Sequence, residues 1–248
     1  MNNPTSLRAR VDLLEGVNPL KANELNLCGD EFLRRFRITG NDEDIGQAIK
    51  AYEQAGACLS EGDQRLGRFL DNIAMAYETR YERFRSLGDL EKAIATTQKM
   101  VAITAEGDVN FAGRLNHPGI LFARRFQCTG DMQNISEAIR HQQHAVQLTP
   151  AGHPDLPAWF NNLGKSFSCH FKHTGNKQDI SEAIQHQQCA VKLTPEGHAD
   201  LPGWLSNLGS SFSVRFGCTG DMQDILEAIQ HQKYAVQLTP DGHAVLPA

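Results

Sequence analysis

A step of 45 residues runs through most of this 248-residue chain and constrains its fold more than any other feature. Thr-Gly occurs at Thr129-Gly130, Thr174-Gly175 and Thr219-Gly220, and Leu-Thr-Pro at 148–150, 193–195 and 238–240. Ala-Ile falls at Ala48-Ile49, Ala93-Ile94, Ala138-Ile139, Ala183-Ile184 and Ala228-Ile229. A basic or His residue followed by an aromatic falls at Arg35-Phe36, Arg80-Tyr81, Arg125-Phe126, His170-Phe171 and Arg215-Phe216. Five repeats therefore hold one register, spanning 22–66, 67–111, 112–156, 157–201 and 202–246. A period of this length means stacked supersecondary units, each burying its apolar face against its neighbours.

Each repeat carries two helical patterns. In repeat four, Phe160, Leu163, Gly164, Phe167 and Phe171 recur at the spacing of one helix face, which predicts helix A over about 157–173. Gly175 stops it, because glycine accepts the left-handed conformation past a helix end. Ile180, Ala183, Ile184, Ala190 and Val191 predict helix B over about 178–193, closed by Pro195. The connector 196–202 offers Asp200 as the N-cap of the next helix A, with Pro202 in its first turn. No segment alternates at period two for long enough to predict a strand. The expected fold class is all-α, a solenoid of helix hairpins. Gly29, Ala74, Gly164 and Gly209 share one register position on helix A, and Ala138, Ala183 and Ala228 share one on helix B. Small residues at fixed sites let the two helices approach closely, at about 1 kcal/mol of helix propensity per glycine.

The residues Phe160, Leu163-Gly164, Phe167, Ala183, Ala190 and Pro195 resemble the tetratricopeptide repeat (TPR), and Gly88-Asp89-Leu90-Glu91-Lys92-Ala93-Ile94 is similar to that family's turn. The departures are regular. The period is 45 rather than the family's ~34, with extra residues between Gly164 and Ala183 and after Pro195. The family's helix-B aromatic position holds Tyr52, Thr97, Gln142, Gln187 and Gln232. The string from Leu201 to Asp221, and Ala-Val-Gln-Leu-Thr-Pro-Asp-Gly-His at 235–243, resemble the long arrays of mushroom-forming fungi. Such arrays often precede a caspase-like (CHAT) domain or form the sensor end of immune-type receptors. The resemblance implies a TPR-like α-α superhelix, right-handed, that binds a protein or extended peptide on its concave face. Residues 1–21, with Leu7, Val11 and Leu14, are expected to form an N-terminal capping segment, and residues 247–248 to begin a truncated sixth repeat.

Carrying the family's inner-face positions onto this chain gives Asn26, Asp71, Asn116, Asn161 and Ser206 as an amide-rich ladder. Four residues on come Asp30, Met75, Ile120, Lys165 and Ser210, and then Leu33, Glu78, Ala123, Ser168 and Ser213. Amides suit the backbone of an extended peptide, and they equally hold water or cap turns. A clamp for a C-terminal carboxylate needs paired cations at these positions, and only Lys165 supplies one. Trp159 and Trp204 share a helix-A position. They are candidate anchors for a partner, or pack on the next repeat's Gly-His-x-x-Leu-Pro connector.

Other chemistries find little support. Asp and Glu number 29 against 24 Lys and Arg, a net charge of −5 with no basic block, so nucleic acid is not an expected partner. No apolar run approaches a membrane span, and Met1 to Leu20 lacks the apolar core of a signal peptide. Six cysteines without a C-x-x-C pair read as thiols in a reducing compartment, which makes the cytoplasm the expected location. All ten histidines lie between His117 and His243. The pairs His141/His144 and His170/His173 supply two ligands each where a metal needs three or four, so no metal or cofactor is expected. The histidines read as solvated or capping groups, or as a pH-sensitive surface. Cys189 shares a helix face with His186, but its equivalents in the neighbouring repeats are His144 and Tyr234, so it reads as a packing or surface thiol, and no phosphate-binding or zinc-protease motif occurs.

The expectation is a non-enzymatic protein–protein interaction scaffold. The runner-up is a sensor or regulatory segment of a larger fungal protein whose effector domain lies elsewhere. Helix B of repeat five, with Ala228, Tyr234 and Val236, is expected to lack a covering helix and to allow end-to-end self-association.

Overall fold

The computed structural model describes residues 19–239. The expected capping segment and the start of a sixth repeat therefore lie outside the described residues, apart from the first turn of α1. Ten helices and no strand occur among the described residues. They are α1 (Pro19–Thr39), α2 (Asp42–Ala57), α3 (Leu66–Phe84), α4 (Leu87–Ile103), α5 (Phe111–Thr129), α6 (Met132–Leu148), α7 (Leu156–Thr174), α8 (Lys177–Leu193), α9 (Leu201–Thr219) and α10 (Met222–Leu238). Odd-numbered helices are A helices and even-numbered ones B helices. Two compact units form, residues 1–114 and 115–248, and the division falls within α5.

Short-range chemistry explains where the helices turn. Gly40, Gly130, Gly175 and Gly220 end their A helices at φ of 67° to 70°, the left-handed region glycine enters without penalty. Repeat two places Arg85 there instead, at φ 56°. The next residue caps the B helix: Asn41, Asp131, Asn176 and Asp221 each accept the backbone N–H two residues on, at 3.0–3.1 Å. Asp200 does not cap as expected. It sits in the right-handed helical region with no side-chain cap, because a tight turn already runs into the helix, with Leu201 N–H donating to the His198 carbonyl.

The close approach of the paired helices is real. A Cβ added to Gly164 would lie 2.9 Å from the Ala183 carbonyl oxygen, and one on Gly209 would lie 3.0 Å from that of Ala228. Gly119 completes the series in repeat three, facing the Ala138 carbonyl at 3.2 Å. In these three repeats the stem of Gln142, Gln187 or Gln232 crosses the glycine, while in repeat one Tyr52 crosses Gly29. Glutamine thus fills the family's aromatic position without loosening the pair. Around it Leu163, Phe167, Phe171, Ile180, Ala183, Ile184, Leu208, Phe212 and Ala228 form one buried cluster through repeats four and five. Each large side chain removed from water there contributes about 1.5–3 kcal/mol.

A polar pair ties helix A to helix B in four of the five hairpins. Arg35–Asp44, Arg80–Asp89 and Arg215–Asp224 form ion pairs, and His170 Nδ1 lies 2.7 Å from Asp179. The four carboxylates are buried. Repeat three breaks the series: Asn134 stands at the carboxylate position, and Arg125 Nε is buried with no hydrogen-bond partner among the described residues.

Candidate functional site

The A helices present residues of the second and third expected inner-face series, whereas the amide series turns mostly into the seam between helices. Asn26, Asn116 and Asn161 are 4%, 6% and 7% exposed, while Asp71 is half-buried and Ser206 exposed. The buried amides join neighbouring A helices. Asn72 donates to Asn26 Oδ1 at 2.8 Å, and Asn207 donates to Asn161 Oδ1 at 2.9 Å. Asn26 also donates to Asp30, whose other oxygen accepts the Tyr52 hydroxyl at 2.8 Å. Burial, with that bond to Asp30, pushes the Tyr52 phenol well above its ordinary range.

Within residues 115–248 an open groove of about 620 Å³ gathers Ile120, Lys165 and Ser210 from the second expected series and Ala123 and Ser168 from the third. Asn116, Asn161 and Ser206 do not line it, and Asp71 and Met75 belong to residues 1–114. Asn162 and Asn207 line it instead, together with Lys172 and Arg124. The signal was present in the sequence: 162, 165, 168 and 172 lie three, three and four apart, one helical face through Lys165. The floor includes Gln142 and Gln187, each 1% exposed, with Oε1 atoms that have no hydrogen-bond partner among the described residues. Burial raises the pKa of the Cys169 thiol, which also lines the groove.

Trp159 and Trp204 are buried. They stack on His153 and His198, with ring centroids 5.2 and 5.6 Å apart. Each stacked histidine belongs to the connector leading into the tryptophan's own helix. Each imidazole Nδ1 also accepts a backbone N–H, from Asp155 and Asp200, so the residue is fixed from two sides. A smaller cavity of about 290 Å³ lies here, between Pro154, Leu193, Pro195, His198 and Trp204. His243 lies outside the described residues.

His141, His186 and His231 occupy one position on successive B helices. They stack on Phe122, on Phe160 and Phe167, and on Phe212, at 5.6–5.8 Å. Each Nε2 faces the glutamate one turn back, Glu137, Glu182 or Glu227, at 3.6–3.9 Å. Burial holds all three imidazoles below the ordinary histidine pKa, and the glutamates offset this only in part. His186, which shares a helix face with Cys189, is thus engaged by two phenyl rings and a carboxylate. Among the described residues no three His, Cys, Asp or Glu converge as a metal site.

No protein-family model matches the chain, and no curated protein matches it. Solved structures do match. BtubC (BKLC) from P. vanneervenii is similar over 99% of this chain and 93% of its own, with a TM-score of 0.58 at 19% identity. A kinesin-light-chain-like protein of Podosopora anserina, built of nearly identical TPR-like repeats, is similar over 95% and 97%, with a TM-score of 0.57 at 17% identity. The MamA RS-1 ArsTM double mutant is similar over 88% and 93%, with a TM-score of 0.60 at 15% identity. The fold is a TPR-type helical repeat. At these identities the likeness concerns the fold alone. Among the described residues no helix is long and apolar enough to cross a membrane.

Proposed function

We propose that the chain is a non-enzymatic interaction scaffold of the cytoplasm, and that the A-helix groove between Ile120 and Val214 receives a protein or an extended peptide. The observation that carries this reading is the groove itself. It is open, it runs across three A helices, and its rim carries the exposed or half-buried polar groups of Asn162, Lys165, Ser168, Lys172, Asn207 and Ser210. Extended segments offer backbone donors and acceptors that such groups match. Asn162 and Asn207 replace Asn116 and Asn161 as the amides offered to a partner, because the latter two are buried.

Ser210→Arg and Ile120→Arg place bulk in the groove from an exposed and a half-buried position. A partner recovered with the wild-type chain is expected to be lost with both variants while their thermal melts match. Recovery unchanged by either substitution contradicts the reading.

A second contact is proposed for α10. Its expected open face differs in detail from the sequence reading, because Ala228 is buried against Gly209 inside its own hairpin. Leu226, Ile229, Tyr234 and Val236 are exposed. In repeats three and four the B helices α6 and α8 pack on the following A helices, α7 and α9. The proposed occupant of the α10 face is a second copy of the chain. Light scattering that stays strictly monomeric at high concentration contradicts it.

A further inference from the structure

The chain is acidic overall, with a net charge of −5, yet the groove is lined by three cations and by no Asp or Glu. Lys165 and Lys172 stand two turns apart on α7, about 10 Å along its axis. Both are exposed, and neither forms an ion pair or side-chain hydrogen bond among the described residues. Arg124 reaches the same space from α5. The contrast with other A helices is sharp: Arg34, Arg35, Arg80 and Arg215 each face a carboxylate of this chain. Lys165 and Lys172 have been given no counter-ion among the described residues.

Two further features narrow the ligand. The unpartnered Oε1 atoms of Gln142 and Gln187 lie at the floor, where a buried acceptor without a donor is costly. Both atoms are almost without accessible surface, so they make the floor polar without bonding a ligand directly. No aromatic side chain lines the groove, so the stacking platform that single-stranded nucleic acid uses is missing.

We propose that the groove binds an internal, extended protein segment rich in Asp and Glu side chains, with Lys165 and Lys172 as the residues that contact its carboxylates. This rests on the reading of the groove as the partner site. It differs from a clamp on a chain terminus, because the cations are spread along the groove rather than gathered at one point.

The test is selection of phage-displayed random dodecapeptides, flanked by Gly-Ser so that no chain end is presented, on the full chain and on Lys165→Gln/Lys172→Gln. Peptides selected on the wild type are expected to be enriched in Asp and Glu. A synthetic copy should bind the double variant about a hundredfold more weakly, about tenfold per lysine, and a copy with Glu and Asp replaced by their amides should lose as much. Selected peptides without acidic enrichment, affinity indifferent to the two lysines, or tighter binding of a thymidylate oligonucleotide than of any peptide would each overturn the proposal. Non-acidic binders that are lost on Ser210→Arg would sink the charge specificity and leave the groove reading standing. An absence of any binder sensitive to Ser210→Arg would sink both.

Discussion

Asp63, Asp108, His153 and His198 stand at one repeat position and hold one turn. Asp63 accepts the Arg65 backbone N–H at 2.9 Å, and Asp108 accepts that of Asn110 at 2.8 Å. His153 and His198 do the same through Nδ1 at 3.2 Å. The Arg65 side chain, with that backbone bond, holds the Asp63 carboxyl down at about 2. The exchange of carboxylate for imidazole keeps the turn and adds a ring on which Trp159 or Trp204 stacks. The tryptophans thereby become supports of the connector. At the same scale, Arg125 lacks the carboxylate that its counterparts in repeats one, two and five possess. Asn134→Asp is expected to stabilise the chain by about 1 kcal/mol, read as a higher urea midpoint at an unchanged slope. A lower midpoint would show that Asn134 and its bond to Thr129 fit the site better than a charge does.

At the scale of the element, α5 is the exception among the A helices. Pro118 stands inside it, where repeats four and five have Leu163 and Leu208. A proline there removes one backbone hydrogen bond, to the Arg114 carbonyl, and crowds the preceding turn. Pro118→Leu is expected to stabilise the chain by about 2 kcal/mol, seen as a raised melting temperature. An unchanged or lowered melt would mean that the packing around α5 is built for the proline. The B helices carry a pH dependence. Buried imidazoles at His141, His186 and His231 have folded-state pKa values below the unfolded value of about 6.5. Their stabilising contribution is therefore complete above that value and is lost as pH falls through the lower folded values. The melting temperature should drop between about pH 7 and pH 5, and replacing all three with Phe should flatten most of that drop. An unaltered slope in the triple variant would assign the effect to other groups.

Elements were the most legible part of the sequence. Register and 3.6-residue spacing placed α7 and α8 to within a residue or so, because Gly175 and Pro195 punctuate a pattern that packing then obeys. The helix-A face was less legible. Asn161 and Asn162 are adjacent amides, and composition alone cannot say which of them turns into the seam and which toward solvent. That is decided by the cross-repeat bond from Asn207 to Asn161. The basic series at Arg35, Arg80 and Arg215 was visible as a marker. Its acidic partners nine residues on were missed, because their burial is a product of the hairpin rather than of local pattern.

For the whole molecule, the repeat leaves two kinds of surface with different chemistry. One is the polar, cation-lined groove across α5, α7 and α9; the other is the apolar face of α10. Buried clusters hold the large inward-facing side chains of repeats four and five, and the turn residues explain the connectors. The groove is what core and turns leave unexplained, and the claim that a partner occupies it is central. The most direct measurement is site-specific photo-crosslinking from a single groove position, with an azidophenylalanine at Ser210 and a control at the exposed B-helix position Gln185. Light-dependent adducts to a protein partner are predicted at Ser210 and not at Gln185. Adducts of equal yield from both positions, or from Gln185 alone, would contradict the account.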